Sequence, residues 1–119
     1  MGEQTPHRIF AMAFARVYPL YLAKVTKKGR TQAELDAVIC WLTGHSVTSL
    51  AEVVARGDDF TRFFGEAPRM HPDADKITGV VCGVRVEAVT DPLMRDIRRL
   101  DKLVDELARG KALAAILRG

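Results

Sequence analysis

Apolar side chains in the first part of the chain return at three- and four-residue steps: Phe10, Phe14, Val17, Tyr18, Tyr21 and Val25. That spacing lines one face of a helix. Thr5 as N-cap and Pro6 at the first helical position open it, and Gly29 closes it. Lys24, Lys27 and Lys28 fall near its C-terminus, where the helix dipole favours cations. Pro19 lies inside the pattern without an N–H for the ladder, so a kink, or two shorter helices meeting near Tyr18, is expected.

The stretch "TQAE" at residues 31 to 34 reads as a capping box, with the Thr31 hydroxyl on the Glu34 amide and the Glu34 carboxylate reaching back. The helix it starts buries Leu35, Val38, Ile39 and Leu42, and Gly44 is placed to be the left-handed residue that ends it. Ser46 caps a third helix carrying Leu50, Val53 and Val54 as far as Gly57. Asp58 is then expected to cap a short amphipathic turn holding Phe60, Phe63 and Phe64, which stops before Pro68. After a polar loop, Arg69 to Lys76, comes the valine-rich Ile77 to Val89, where periodicity leaves a buried helix and a short strand pair equally open. Asp91 and Pro92 start the last long helix, with a stripe of Leu93, Ile97, Leu100, Val104 and Leu107 for core or interface. Gly110 breaks it, and Leu113, Ile116 and Leu117 add a final turn. The expected fold is all-α: one domain, residues 1–119, a compact bundle of five or six helices with room for a minor β element near residues 77–89.

Composition narrows the class without naming a task. The chain has 119 residues, 48% hydrophobic and 28% charged, which excludes disorder and fibrous repeats and provides one core. Two cysteines are too few for a disulfide framework, so a reducing, cytoplasmic location is expected. The run from Ile9 to Ala23, interrupted by Arg16 and Pro19, is too short to span a bilayer, so no membrane partner is expected, and the polar start argues against a secretory signal. A net charge of +3 permits nucleic acid as a partner without requiring it.

The stretch "ICWLTGH", residues 39 to 45, poses the sharpest chemical question: a thiol site or a helix ending. On a helical wheel Cys40 points roughly 150° from the centre of the Leu35, Val38, Ile39 and Leu42 cluster. It shares its face with Ala33, Ala37 and Gly44, a stripe of small residues that lets a second element approach. A reactive thiol needs a positive neighbour and a helix N-terminus, whereas Cys40 sits in the last turn, so packing is the expected role and His45 has no assigned partner. Cys82, among valines, is expected to be buried and inert. His7, His45 and His71 show no metal-ligand spacing with the cysteines, and "GVVCG" and "VTKKGRT" lack the form of a phosphate loop. No catalytic residue, metal or cofactor is expected. Phe60, Phe63, Phe64 and Trp41 are assigned to the core.

The motifs "HRIF", "YPLY", "KKGRT", "ICWLTG", "ITGVVCGVRV", "DPLM" and "LDKLVDELARGK" occur in this order along nearly the whole chain. Together they resemble the bacterial domain-of-unknown-function family 2200. The resemblance implies a stand-alone bacterial cytoplasmic protein and brings no activity or catalytic residues with it.

Two functions from different classes follow from the residues themselves. In one, Arg95, Arg98, Arg99, Lys102 and Arg109 centre opposite the leucine stripe, forming a cationic face that Lys24, Lys27, Lys28 and Arg30 extend; the chain is then a binding or interaction module, with homodimerisation through the stripe if one chain leaves it uncovered. The bland counterpart is a solvated face with pairs such as Lys102 with Glu106 and Asp105 with Arg109. In the other, a small ligand-binding protein or enzyme has a pocket near the Tyr18 to Tyr21 kink and the residue 69 to 85 loop, with His71, Arg85 and Glu87 as polar groups.

Overall fold

The first helix starts later than its apolar spacing predicts, because the chain ahead of it is drawn into a long-range pairing. In the computed structural model, which describes residues 8–118, a 3-10 turn, Arg8–Ala11, precedes α1, Phe14–Thr26. The expected cap at Thr5 and start at Pro6 lie outside the described residues, as does His7. Ala13 bridges to Asp59 in antiparallel fashion; the Phe14 amide donates to the Asp58 carbonyl at 2.8 Å, and the Phe60 amide to the Met12 carbonyl at 3.2 Å. The bridge holds Ala13 extended and satisfies an N–H that a helix start leaves open. The interruption therefore falls at Met12 and Ala13 instead of Tyr18. Pro19 stays within α1, on its exposed side, where water can replace the missing donor.

α2, Gln32–Thr43, begins with the expected capping box: Glu34 N–H donates to Thr31 Oγ1 at 3.1 Å, and Thr31 N–H to Glu34 Oε1 at 3.0 Å. It ends at Gly44, whose φ is 79°. A Cβ there would lie 2.7 Å from the Arg69 carbonyl oxygen, so both the turn and the passing loop require glycine. α3, Val47–Arg56, leaves at 90° to α2, capped by Ser46. In α4, Phe60–Gly65, the cap is Asp59, which accepts from the Arg62 amide at 2.8 Å, and not Asp58 as the sequence predicts. Asp58 is buried instead: its carbonyl serves Phe14 and its carboxylate pairs with Arg56 at 2.8 Å.

The valine-rich stretch is a strand pair. β1, Val80–Val81, runs antiparallel to β2, Val84–Arg85, around Cys82 and Gly83 at φ 51° and 74°, the twin left-handed residues of a type I′ turn. Cys82 is therefore exposed, against the expectation of burial: it occupies the turn and not a strand. α5, Pro92–Ala108, starts at the predicted Asp91 cap and Pro92, and α6, Leu113–Ile116, follows. Among the described residues the result is a six-helix, essentially all-α fold with one small sheet.

α5 packs against α1, α2, α4, α6 and the hairpin, so it is a central helix. Of the predicted stripe, Ile97, Leu100, Val104 and Leu107 are buried within the chain and Leu93 is half-buried. Phe14 stacks on Phe63 at 4.1 Å and meets Phe60 edge-on at 5.7 Å, joining α1 to α4. No single helix among the described residues is long and apolar enough to cross a membrane.

Candidate ligand groove beside Tyr18

α3 carries Val47, Leu50, Ala51 and Val54 at the i, i+3, i+4, i+7 spacing that defines one helical face. Leu50 is buried, but Val47 is 65% exposed, so the face is not fully covered. It forms one wall of a groove of about 250 Å³ whose other lining residues are Tyr18 of α1 and Gln32 and Asp36 of α2. Gln32 and Asp36 are themselves one helical turn apart, which sets both on the same side of α2.

The polar end of the groove is a relay. Tyr18 donates its phenol proton to Asp36 Oδ1 at 2.5 Å, and Gln32 Nε2 donates to the Tyr18 oxygen at 2.9 Å. Burial, followed by the hydrogen bond to Asp36, pushes the Tyr18 pKa up to about 12, so the proton stays and the direction of the relay is fixed. Cys40 lies on the same side of α2 as Asp36. Its thiol is pushed up by burial first and by Asp36 second, which keeps it protonated and supports the packing role. His45 does not swing back toward it. His45 is buried, sharing a 2.9 Å hydrogen bond through Nδ1 with Ser49 Oγ and stacking on Phe63 at 5.5 Å.

The five residues of the sequence-predicted pocket do not come together. Tyr18 lines the groove, whereas Tyr21 turns to α5 and is buried, donating to Asp101 Oδ1 at 2.6 Å. His71 stacks on Trp41 at 4.1 Å, which leaves Trp41 half-buried at the end of α2. Arg85 and Glu87 are exposed and pair with each other at 3.3 Å, and Glu87 Oε1 accepts from the Gly79 amide at 2.9 Å.

The predicted cationic face is largely engaged within the chain. Arg98 pairs with Asp101 at 2.8 Å and Arg99 with Asp96 at 3.6 Å, with side chains only 19% and 16% exposed. Lys102 donates to the Val80 carbonyl at 3.2 Å instead of meeting Glu106, which is buried and bound to Arg118 and Lys111. Arg95 is half-buried, and its Nε has no hydrogen-bond partner among the described residues. Arg109 alone of the five projects well into solvent, 77% exposed and paired with Asp105 at 2.8 Å. Asp105 also receives Lys24 at 3.4 Å, which joins the C-terminal ends of α1 and α5.

Among the described residues, no group of three or more His, Cys, Asp or Glu side chains is placed to hold a metal. The residues that sequence reasoning missed are Gln32, Asp36 and the α3 row. Their helices and faces were legible; that Tyr18 would meet Asp36 was not, because it depends on how α1 crosses α2.

The structure is similar to the crystal structure of the uncharacterized protein SP1917, with a TM-score of 0.88 and 44% sequence identity over 92% of this chain and 90% of that one. Comparison with curated proteins gives no match. Residues 8–118 match the family described as "Uncharacterized protein conserved in bacteria (DUF2200)", and the chain belongs to that family.

Proposed function

We propose that this chain is a small cytoplasmic binding protein whose ligand site is the Tyr18 groove. The observation that carries the reading is the union of an apolar wall, Val47, Leu50, Ala51 and Val54, with a polar end in which Tyr18 and Gln32 are already committed to a relay. Binding sites are commonly of this kind, mainly apolar with a few fixed polar groups. A groove of about 250 Å³ suits a small ligand. Two unpaired thiols support the reducing location.

The test is a fragment screen read by amide correlation NMR. Hits should cluster on residues 18, 32, 36, 47, 50, 51 and 54, and Ala51→Trp, at an exposed position facing the groove, should abolish them without unfolding the protein. Hits scattered elsewhere, or unchanged by Ala51→Trp, would remove the groove reading.

A second reading rests on the cations around the C-terminal ends of α1 and α5. Lys27 and Lys28 are exposed, Lys24 and Arg109 share Asp105, and Arg30 donates to the Lys111 carbonyl at 2.9 Å. It is the exposed remnant of the predicted basic face and suits an anionic partner such as nucleic acid. Duplex binding should weaken steeply as salt rises from about 50 to about 200 mM and vanish in a Lys27→Glu, Lys28→Glu, Arg109→Glu variant. Binding indifferent to both would eliminate it.

A further inference from the structure

We infer that the Tyr18 groove takes a small organic ammonium ion with a short apolar tail, its charge set against Asp36 and its tail along Val47, Leu50, Ala51 and Val54. The inference rests on the reading of this groove as the ligand site and deepens it by assigning the ligand's charge.

The assignment comes from charge accounting. Each half-buried or buried carboxylate elsewhere among the described residues has a reason to be there. Glu34, Asp58, Asp73, Asp96, Asp101, Asp105 and Glu106 each have a Lys or Arg nitrogen within 4.0 Å, and Asp59 caps α4. Asp36 is half-buried and has neither: its protein partner is the neutral Tyr18 hydroxyl, on Oδ1. A carboxylate withdrawn from water without a counter-charge is costly, and a bound cation offsets that cost.

Hydrogen accounting agrees. The phenol proton is spent on Asp36 and one Gln32 N–H on the phenol oxygen. What remains is mainly accepting capacity: Asp36 Oδ2 and the Gln32 side-chain oxygen, beside one amide N–H. A ligand that donates satisfies this end, and a carboxylate or phosphate meets a like charge. The apolar wall then selects for a hydrocarbon tail, and a groove of roughly 250 Å³ suits a small molecule.

Hexylammonium, hexanol and hexanoate, titrated into the full chain and followed by amide NMR, separate charge from tail. Hexylammonium should shift residues 18, 32, 36, 47, 50, 51 and 54 and bind at least about tenfold more tightly than hexanol, with hexanoate weakest. Asp36→Asn should bring hexylammonium down to the level of hexanol. Tyr18→Phe, which keeps the carboxylate, should retain the preference, and so provides a second test should Asp36→Asn fold poorly. Equal binding of hexanol and hexylammonium at these residues, or loss of the preference in Tyr18→Phe, would overturn the ammonium assignment while leaving the groove reading in place. Absence of shifts there with all three probes would bring down both. An α-acetylated lysine amide that bound more tightly than hexylammonium would overturn the small-molecule assignment, by pointing to a lysine side chain of a partner protein.

Discussion

Tyr18 and Tyr21 sit three residues apart on α1, and each donates its phenol proton to an aspartate on another helix: Asp36 of α2 at 2.5 Å and Asp101 of α5 at 2.6 Å. Burial is the largest cause that raises both phenol pKa values, to about 12 for Tyr18 and well above the ordinary value for Tyr21. The surroundings separate the two pairs. Asp101 also receives Arg98 at 2.8 Å and lies against the hairpin, with Cys82 Sγ at 3.9 Å. Its charge is balanced inside the fold. Asp36 has no such cation among the described residues and opens on the groove. The same donor and acceptor thus serve a closed tie on one side of α1 and the edge of an open groove on the other, and the neighbouring charge separates the two.

Removing each aspartate separates the two pairs most strongly. Asp101→Ala strips the acceptor from a buried phenol and the counter-charge from a largely covered arginine, so urea denaturation should show a loss of about 3 kcal/mol. Asp36→Ala should cost no more than about 0.5 kcal/mol, because it removes an uncompensated charge together with one hydrogen bond. Equal losses would mean that both pairs are structural. Tyr21→Phe should come next at about 1.5 kcal/mol, against about 0.5 kcal/mol for Tyr18→Phe at a half-exposed site.

The smallest effect lies on the pH axis. Both tyrosines stay protonated through neutrality, so they leave that range to other groups. Burial, and then Arg56, holds the His45 pKa below its ordinary value. The unfolded chain therefore takes up the proton first. Stability should fall as pH drops below about 6.5, the unfolded histidine value, toward the lower folded value. His45→Leu should flatten that slope in denaturation midpoints measured between about pH 7 and pH 5. An unchanged slope would place the acid sensitivity elsewhere.

Local chemistry was legible wherever a residue and its partner are close in sequence. Thr31 with Glu34, Ser46, Asp91 with Pro92, and the left-handed Gly44 and Gly57 set the helix boundaries as expected. Thr31→Ala should accordingly cost about 1 kcal/mol in thermal or urea unfolding. The misreadings arose where a distant partner intervened. Ala13 leaves the helix because Asp59 bridges to it, and Asp58 goes inward to meet Phe14 and Arg56, handing the α4 cap to its neighbour. Cys82 looked buried among valines, yet the type I′ turn exposes it. The cationic face of α5 assumed a surface helix, but elements pack around α5 on several sides and its arginines fold onto nearby acids.

By itself the amino-acid order determined the mostly helical class, the caps of α2, α3 and α5 and most of the core positions, because those follow from spacing and from bonds spanning three or four residues. The tertiary structure alone decided that Tyr18 meets Asp36, that Tyr21 meets Asp101, and that the second aspartate has an arginine while the first does not. The physical reason is that a wheel fixes a side chain's direction around its own axis, while its partner is set by how neighbouring axes cross.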